Sequence, residues 1–254
     1  AYYDSGSVAI FLNDGEANFE PWNEYHWGSP YSLDCADING DGARDIIALN
    51  DPAMFSFSTF FNNGDGTFSN GLEYYSSGES PTALTHSDLD NDGDFDLVTA
   101  NNWSNKITVR MNDGSGTFSS AIDYDTGIIW GALSIEDLDK DGDQDLVTTT
   151  INPHTLTVMY NEGNGTFGNY VEYSVEFTPS HTKITDLNGD GFGDIIVLYD
   201  AHNTYSVLIN MGDGTFGPMQ NYETGSDPWS VLLADMDGDG DADLIIMADI
   251  YVVV

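Results

Sequence analysis

The stretch DLDNDGDFDLV, Asp88–Val98, sets five aspartates within nine residues directly ahead of an apolar tail. Charges this close oppose one another: two like unit charges 4 Å apart cost about 4 kcal/mol at an effective dielectric of 20. Such a loop either holds a cation or spends its side chains bending the backbone, as solvated Asx turns do. The rest of the chain decides between the two, because the loop is repeated. It recurs as DINGDGARD (Asp37–Asp45), DLDKDGDQD (Asp137–Asp145), DLNGDGFGD (Asp186–Asp194) and DMDGDGDAD (Asp235–Asp243). With the copy from Asp88, successive starts at 37, 88, 137, 186 and 235 lie 51, 49, 49 and 49 residues apart. A second motif keeps the same beat: NDGEANF from Asn13, NNGDGTF from Asn62, NDGSGTF from Asn112, NEGNGTF from Asn161 and NMGDGTF from Asn210.

Between the two motifs the sequence reads as strands. SVLLAD precedes an acidic loop and DLVTA or DIIVL follows one, rich in the β-branched and apolar residues that suit a pleated, buried surface. A third strand such as ITVRMN or YSVLIN alternates with period two, and a fourth, tyrosine-bearing strand such as SSAIDY follows the glycine-rich turn. No helical periodicity of useful length is present. Each repeat is thus expected to be a four-stranded antiparallel meander, which buries both faces only by stacking on its neighbours. The expected fold is an all-β propeller of about five four-stranded blades, one domain over residues 1–254. The chain opens on SVAIFLNDG, a third-strand position, so the N-terminal strands are expected to complete the last blade and close the ring. The tail IYVVV, Ile250–Val254, reads as one third strand too many. It extends the preceding strand, adds to a neighbouring chain's sheet edge, or belongs to a larger propeller.

Each nine-residue loop places oxygen-bearing side chains at positions 1, 3, 5 and 9 and glycine at position 6. Calcium takes 6–8 oxygens at ~2.3–2.6 Å, and a turn with oxygen donors at alternate positions wraps such an ion. Glycine permits the sharp bend that returns position 9 to it. Position 7 varies freely (Ala43, Asp94, Asp143, Phe192, Asp241), so its backbone carbonyl is the expected donor there. The first loop therefore offers Asp37, Asn39, Asp41, Ala43 and Asp45; the second Asp88, Asp90, Asp92, Asp94 and Asp96; the third Asp137, Asp139, Asp141, Asp143 and Asp145. The fourth offers Asp186, Asn188, Asp190, Phe192 and Asp194, and the fifth Asp235, Asp237, Asp239, Asp241 and Asp243. About five Ca2+ ions are expected. Asn39 and Asn188 lower the charge of loops 1 and 4, which are expected to bind more weakly. Magnesium, which demands octahedral geometry and keeps its waters, fits less well.

Composition limits the partners. With 43 acidic against 5 basic residues and a net charge of −38, the surface repels nucleic acid and anionic lipid. At 40% apolar and 13% aromatic residues the chain is not an acidic disordered tail. One cysteine, Cys35, precludes an intrachain disulfide framework, and no apolar run reaches the ~18 residues a membrane span needs.

The paired motifs, DxDxDGxxD before DLVxA and then NxGxGTF, resemble the FG-GAP/VCBS repeat of integrin-type β-propellers, over essentially the whole chain. The resemblance implies that each acidic loop joins the first and second strands of a blade, that its calcium is structural, and that partners bind the opposite face. Blade number departs from the family: seven is its usual count and five are found here.

That opposite face would be built from the second-to-third strand loops, with Trp103, His154 and His202, and from the links between blades, with Trp27, Tyr31, Trp130 and Trp229 in or beside them. Flat amphipathic rings suit sugars or a protein loop, and they equally serve as packing between blades. A catalytic reading finds little: no G-x-S-x-G elbow, no cysteine–histidine nucleophile, and histidines without metal spacing. His86 shares a repeat position with Cys35, Ile135, Ile184 and Leu233, so His86 and Cys35 are both expected inside. The expectation is a secreted or cell-surface, calcium-stabilised, non-enzymatic binding or adhesion module for a glycan or extracellular protein. A structural subunit that assembles by strand addition at Ile250–Val254, and a polysaccharide lyase or glycoside hydrolase with a rim pocket, are the alternatives.

Overall fold

The computed structural model describes residues 7–19, 23–26, 30–50, 56–75, 80–127, 129–199 and 201–248. Trp27 and the tail Ile250–Val254 lie outside them. The described residues hold strands and turns and no helix, so none is long and apolar enough to cross a membrane.

Two compact units are present, one of residues 1–88 with 92–125, the other of residues 89–91 with 126–254. In the first, β1 (Ser7–Ile10) and β2 (Asn23–His26) form a two-stranded sheet. β3 (Pro30–Ala36), β4 (Asp45–Asn50), β5 (Ser56–Asn62) and β6 (Phe68–Tyr75) form a four-stranded meander. β7 (Pro81–Ser87), β8 (Asp96–Asn101), β9 (Lys106–Arg110) and β10 (Ile122–Asp125) form another. In the second unit β11 (Ile129–Glu136), β12 (Asp145–Ile151), β13 (His154–Asn161) and β14 (Phe167–Ser174) make one meander. β15 (Pro179–Thr185), β16 (Asp194–Tyr199), β17 (Thr204–Leu208) and β18 (Gln220–Glu223) make the next, and β19 (Pro228–Ala234) with β20 (Asp243–Ala248) a two-stranded sheet. All pairings are antiparallel. Among the described residues there are thus four four-stranded sheets and two two-stranded ones, a propeller-like all-β repeat.

The second strand of each meander explains the packing. β4, β8 and β16 are buried along their whole length. Because side chains alternate across a strand, β4 serves two interfaces: Ile47 and Leu49 pack with Leu97 and Phe118, while Ile46 and Ala48 pack with Phe60 and Ile10. Unit 2 repeats the arrangement with Val147, Ile195 and Val197 in one cluster. Each such buried Ile, Leu or Val contributes about 1.5–3 kcal/mol. β20 has the same kind of sequence, DLIIMA, yet alternates between exposed and half-buried residues, with Ile245 at 40% and Met247 at 48% exposure. Among the described residues its sheet pairs it with β19 alone.

First strands start on a β-bulge. Pro30 faces Asn50 and Ser32 faces Leu49, so Tyr31 has no ladder partner; Trp229 is left over in the same way between Pro228 and Ser230. One expectation is corrected here. Cys35 is exposed, not packed inside, because β3 lies at the edge of its sheet and is covered less than β4. His86 is half-buried, with 23% side-chain exposure, and bonds Asp34 of the neighbouring sheet through Nδ1 at 2.7 Å.

Candidate metal loops and the opposite rim

Every acidic loop joins a first to a second strand, and all five share one backbone frame. The position-6 glycine donates its N–H to Oδ2 of the position-1 aspartate, at 2.8 Å for Gly42 to Asp37 and 3.2 Å for Gly142 to Asp137. Position 7 donates its N–H to Oδ1 of position 5, as in Ala43 to Asp41 and Asp241 to Asp239. Gly142 reaches φ 101°, which only glycine adopts without strain. Free variation at position 7 thus reflects its backbone role; its side chain, Asp143 or Phe192, merely lies against a glycine of the NxGxGTF turn.

Position 9 does more than expected of a ligand. Asp45, Asp96, Asp145 and Asp194 are buried. Oδ2 of Asp145 accepts the N–H of Leu138 at 3.0 Å and Oδ1 that of Asn161 at 2.9 Å. The same pair of bonds holds Asp45 (from Ile38 and Asn62) and Asp194 (from Leu187 and Asn210). The asparagine that opens the NxGxGTF motif also bonds the acidic loop of the preceding repeat. Its Nδ2 donates to the carbonyl of loop position 2: Asn112 to Ile38 at 2.8 Å, Asn161 to Leu89 at 2.7 Å, Asn210 to Leu138 at 2.8 Å. Its Oδ1 collects the N–H groups of the turn glycines, Gly163 and Gly165 for Asn161. A Cβ on Gly116 would lie 2.5 Å from the ring of Phe61 in the sheet before it, so glycine there permits sheet-to-sheet contact. Fourth-strand tyrosines complete the seam, Tyr74 accepting the Phe118 N–H at 3.0 Å and Tyr173 that of Phe216 at 3.3 Å. In sequence these asparagines read as turn residues; their strict phase with the acidic loops is the signal that points to the bond.

Carboxylate oxygens within 4.8 Å of one another converge in three loops: Asp88, Asp90 and Asp96; Asp137, Asp139 and Asp145; Asp235, Asp237 and Asp239. Oxygens around one ion at ~2.4 Å are at most about 5 Å apart, so these all-oxygen sets fit a hard divalent cation. Loops 1 and 4 form no such cluster among the described residues. There the position-3 amide supplies its own donor: Asn39 Nδ2 bonds Asp41 at 3.1 Å and Asn188 Nδ2 bonds Asp190 at 2.9 Å. Burial pushes the Asp145 carboxyl up to about 7, and raises Asp45 and Asp194 as well, with neighbouring loop aspartates adding to each. These are carboxylates that a cation would relieve.

Antiparallel connectivity puts the second-to-third strand turns at the other end of each sheet from the acidic loops. Trp103 is 69% exposed in the β8–β9 turn. In unit 2, His154 and His202 meet the same linker: His154 Nε2 lies 3.4 Å from Thr178 Oγ1, and the His202 ring stacks on Phe177 at 3.9 Å. Tyr31, Trp130 and Trp229 belong to first strands rather than to links, and Trp229 is 52% exposed.

The FG-GAP-like repeat model matches residues 37–99, 88–148 and 186–246. No curated protein sequence matches the chain. Among solved structures, an Agrocybe aegerita lectin described for its specific recognition of non-reducing terminal N-acetylglucosamine is similar over 85% of this chain and 60% of its own, at 24% identity and a TM-score of 0.58. BBS1N, solved in complex with ARL6DN, is similar over 85% of this chain and 62% of its own, at 11% identity and a TM-score of 0.60. A putative 6-phosphogluconolactonase from Bacteroides uniformis gives a TM-score of 0.63 at 12% identity, over 93% of this chain and 76% of its own. The chain thus spans about three-fifths of the first two structures, and at these identities the likeness is one of fold. With the repeat model matching well over half its length, the chain belongs to the FG-GAP-like repeat family.

Proposed function

We propose that this chain is an extracellular, calcium-stabilised binding module and not an enzyme, its partner a glycan or an extracellular protein. The observation that carries the reading is the division of each sheet into two ends. Acidic loops whose carboxylates converge occupy one end, and the exposed Trp103 and the His154–Thr178 and His202–Phe177 pairs occupy the other. Calcium would be held by the position-1, -3, -5 and -9 side chains and the position-7 carbonyl of each loop, more tightly in loops 2, 3 and 5. Bound there, it would supply the positive charge that the carboxylates lack and stiffen the joint between first and second strands. Closure into five blades is part of the proposal, motivated by strand type: β19–β20 are of first- and second-strand type, β1–β2 of third- and fourth-strand type.

The test is a glycan array probed with the calcium-loaded chain and with Trp103→Ala, His154→Ala and His202→Ala. Retention of one glycan class by the parent, lost in a rim variant of unchanged melting temperature, is the expected result. Retention that all three variants keep would remove the rim from the reading. A second reading, assembly by strand addition, is favoured by the half-covered β20. It requires a particle mass in light scattering that grows with concentration, and a constant monomer mass excludes it.

A further inference from the structure

Away from the metal loops, unit 1 contains a cavity of about 260 Å3 lined by Ser32, Leu33, Asp34, Ile47, Leu49 and Leu84. It lies between β3 and β4 of one sheet and β7 of the next, and it is far larger than the ~30 Å3 share of a single water. Its one charged lining group is held in place from two sides. Asp34 Oδ2 is 2.7 Å from His86 Nδ1 and Oδ1 accepts the Cys35 N–H at 2.8 Å. Each carboxylate oxygen keeps a second lone pair. The hydrogen bond from His86, above all, keeps Asp34 below the usual carboxylate range, so it is ionised at neutral pH.

The remaining walls select the ligand. No lysine or arginine is among the lining residues, in a chain that has only five, so beyond the bond from His86 the cavity walls bring no cation to Asp34. A net charge of −38 disfavours any anion. No aromatic ring lines the cavity for a sugar to stack on, whereas the partly exposed Leu33 offers one short apolar wall beside the carboxylate and the Ser32 hydroxyl adds an acceptor. We infer that this cavity binds a primary ammonium group on a short aliphatic stem, as a free alkylamine or as the lysine side chain of a protein partner. This inference is independent of the rim: Trp103→Ala leaves it intact.

The experiment is a 15N NMR titration of the full chain with n-butylammonium, n-butanol and N-acetyl-lysine methylamide. It is run at about 0.15 M salt, where exposed charges are screened beyond ~8 Å. Saturable shifts at the Leu33 and Leu84 amides are expected with butylammonium, with butanol at least roughly tenfold weaker, a difference of about 1.4 kcal/mol. Asp34→Asn keeps the side chain's size and removes its charge; it is expected to weaken butylammonium to the level of butanol. Should that variant not fold, the comparison of amine with alcohol on the parent chain stands alone as the test. Equal affinity for amine and alcohol, or shifts confined to the acidic loops, would overturn the inference. Tighter binding of the lysine derivative than of butylammonium assigns the site to a partner's side chain, and the reverse to a free amine.

Discussion

Loops 137–145 and 186–194 belong to neighbouring sheets of one unit and share the same backbone bonds, from the glycine at position 6 to the buried aspartate at position 9. They differ at position 3. Asp139 converges with Asp137 and Asp145, and is itself raised by burial and by the charge of Asp141. Asn188 instead donates to Asp190, and Asp186 in that loop is lowered by the N–H groups it accepts, Gly191 first. In loop 4 the position-3 amide thus supplies from within the loop a donor that a position-3 carboxylate lacks. The shared backbone frame rests on the glycine and the buried aspartate, and the proposed difference in metal affinity rests on position 3.

The largest effect should come from removing calcium. A site held at a hundred times its Kd contributes about 2.7 kcal/mol. Three strong sites then account for a fall of roughly 15–30 °C in melting temperature on chelation. Titration calorimetry should show three tight ions and two weaker ones; five equivalent ions would break the comparison. Next in size, Asn161→Ala and Asn210→Ala should each cost about 2–4 kcal/mol in denaturant unfolding, since each removes two hydrogen bonds donated to backbone carbonyls of the acidic loops. The two losses should be alike, because the asparagine serves both loop types in one way; a markedly larger loss for Asn161→Ala would tie the seam to the metal.

Reciprocal exchange sharpens the contrast further. Asp139→Asn is expected to weaken one tight ion by roughly tenfold, about 1.4 kcal/mol, and Asn188→Asp to convert one weak ion into a tight one. Affinities that ignore both exchanges would show that position 3 is not what separates the loops. The smallest effect is in pH. Asp145, whose folded-state carboxyl stands at about 7, binds more protons folded than unfolded between its ordinary 3.8 and that value. Metal-free stability therefore falls as pH rises through that window. Calcium pulls the carboxyl down and flattens the slope, so melting curves from pH 4 to 8 with and without calcium check the sign.

What the sequence displayed and what it concealed divide along the distance between partners. The meander and the loops were readable because glycines, aspartates and apolar runs recur at a constant interval, and each local signal has a local cause. The bond from Asn161 to Leu89 spans 72 residues and that from His86 to Asp34 spans 52; an asparagine in a glycine turn looks the same whether or not its amide reaches another sheet. Cys35 departs from expectation because its repeat position, apolar in three of five copies, lies on the first strand of each sheet, where the residue is half-buried or exposed in every copy. Trp103 lies in the second-to-third strand turn where the sequence puts it, but nothing in the sequence foretells that His154 and His202 meet one linker, since Thr178 and Phe177 lie in a segment without a motif.

The amide that closes an acidic loop is encoded in the repeat after it, as Asn112 is for Ile38 and Asn210 for Leu138. A tandem duplication of one repeat, about 49 residues here, carries one such amide and one such carbonyl wherever its ends fall. The copy joins its neighbours on both sides through bonds already in use, and no new side chain has to arise at the seam. The loss of one asparagine is then felt in two loops at once, because the amide of Asn210 bonds Gly193 of its own loop as well as Leu138 of the preceding one.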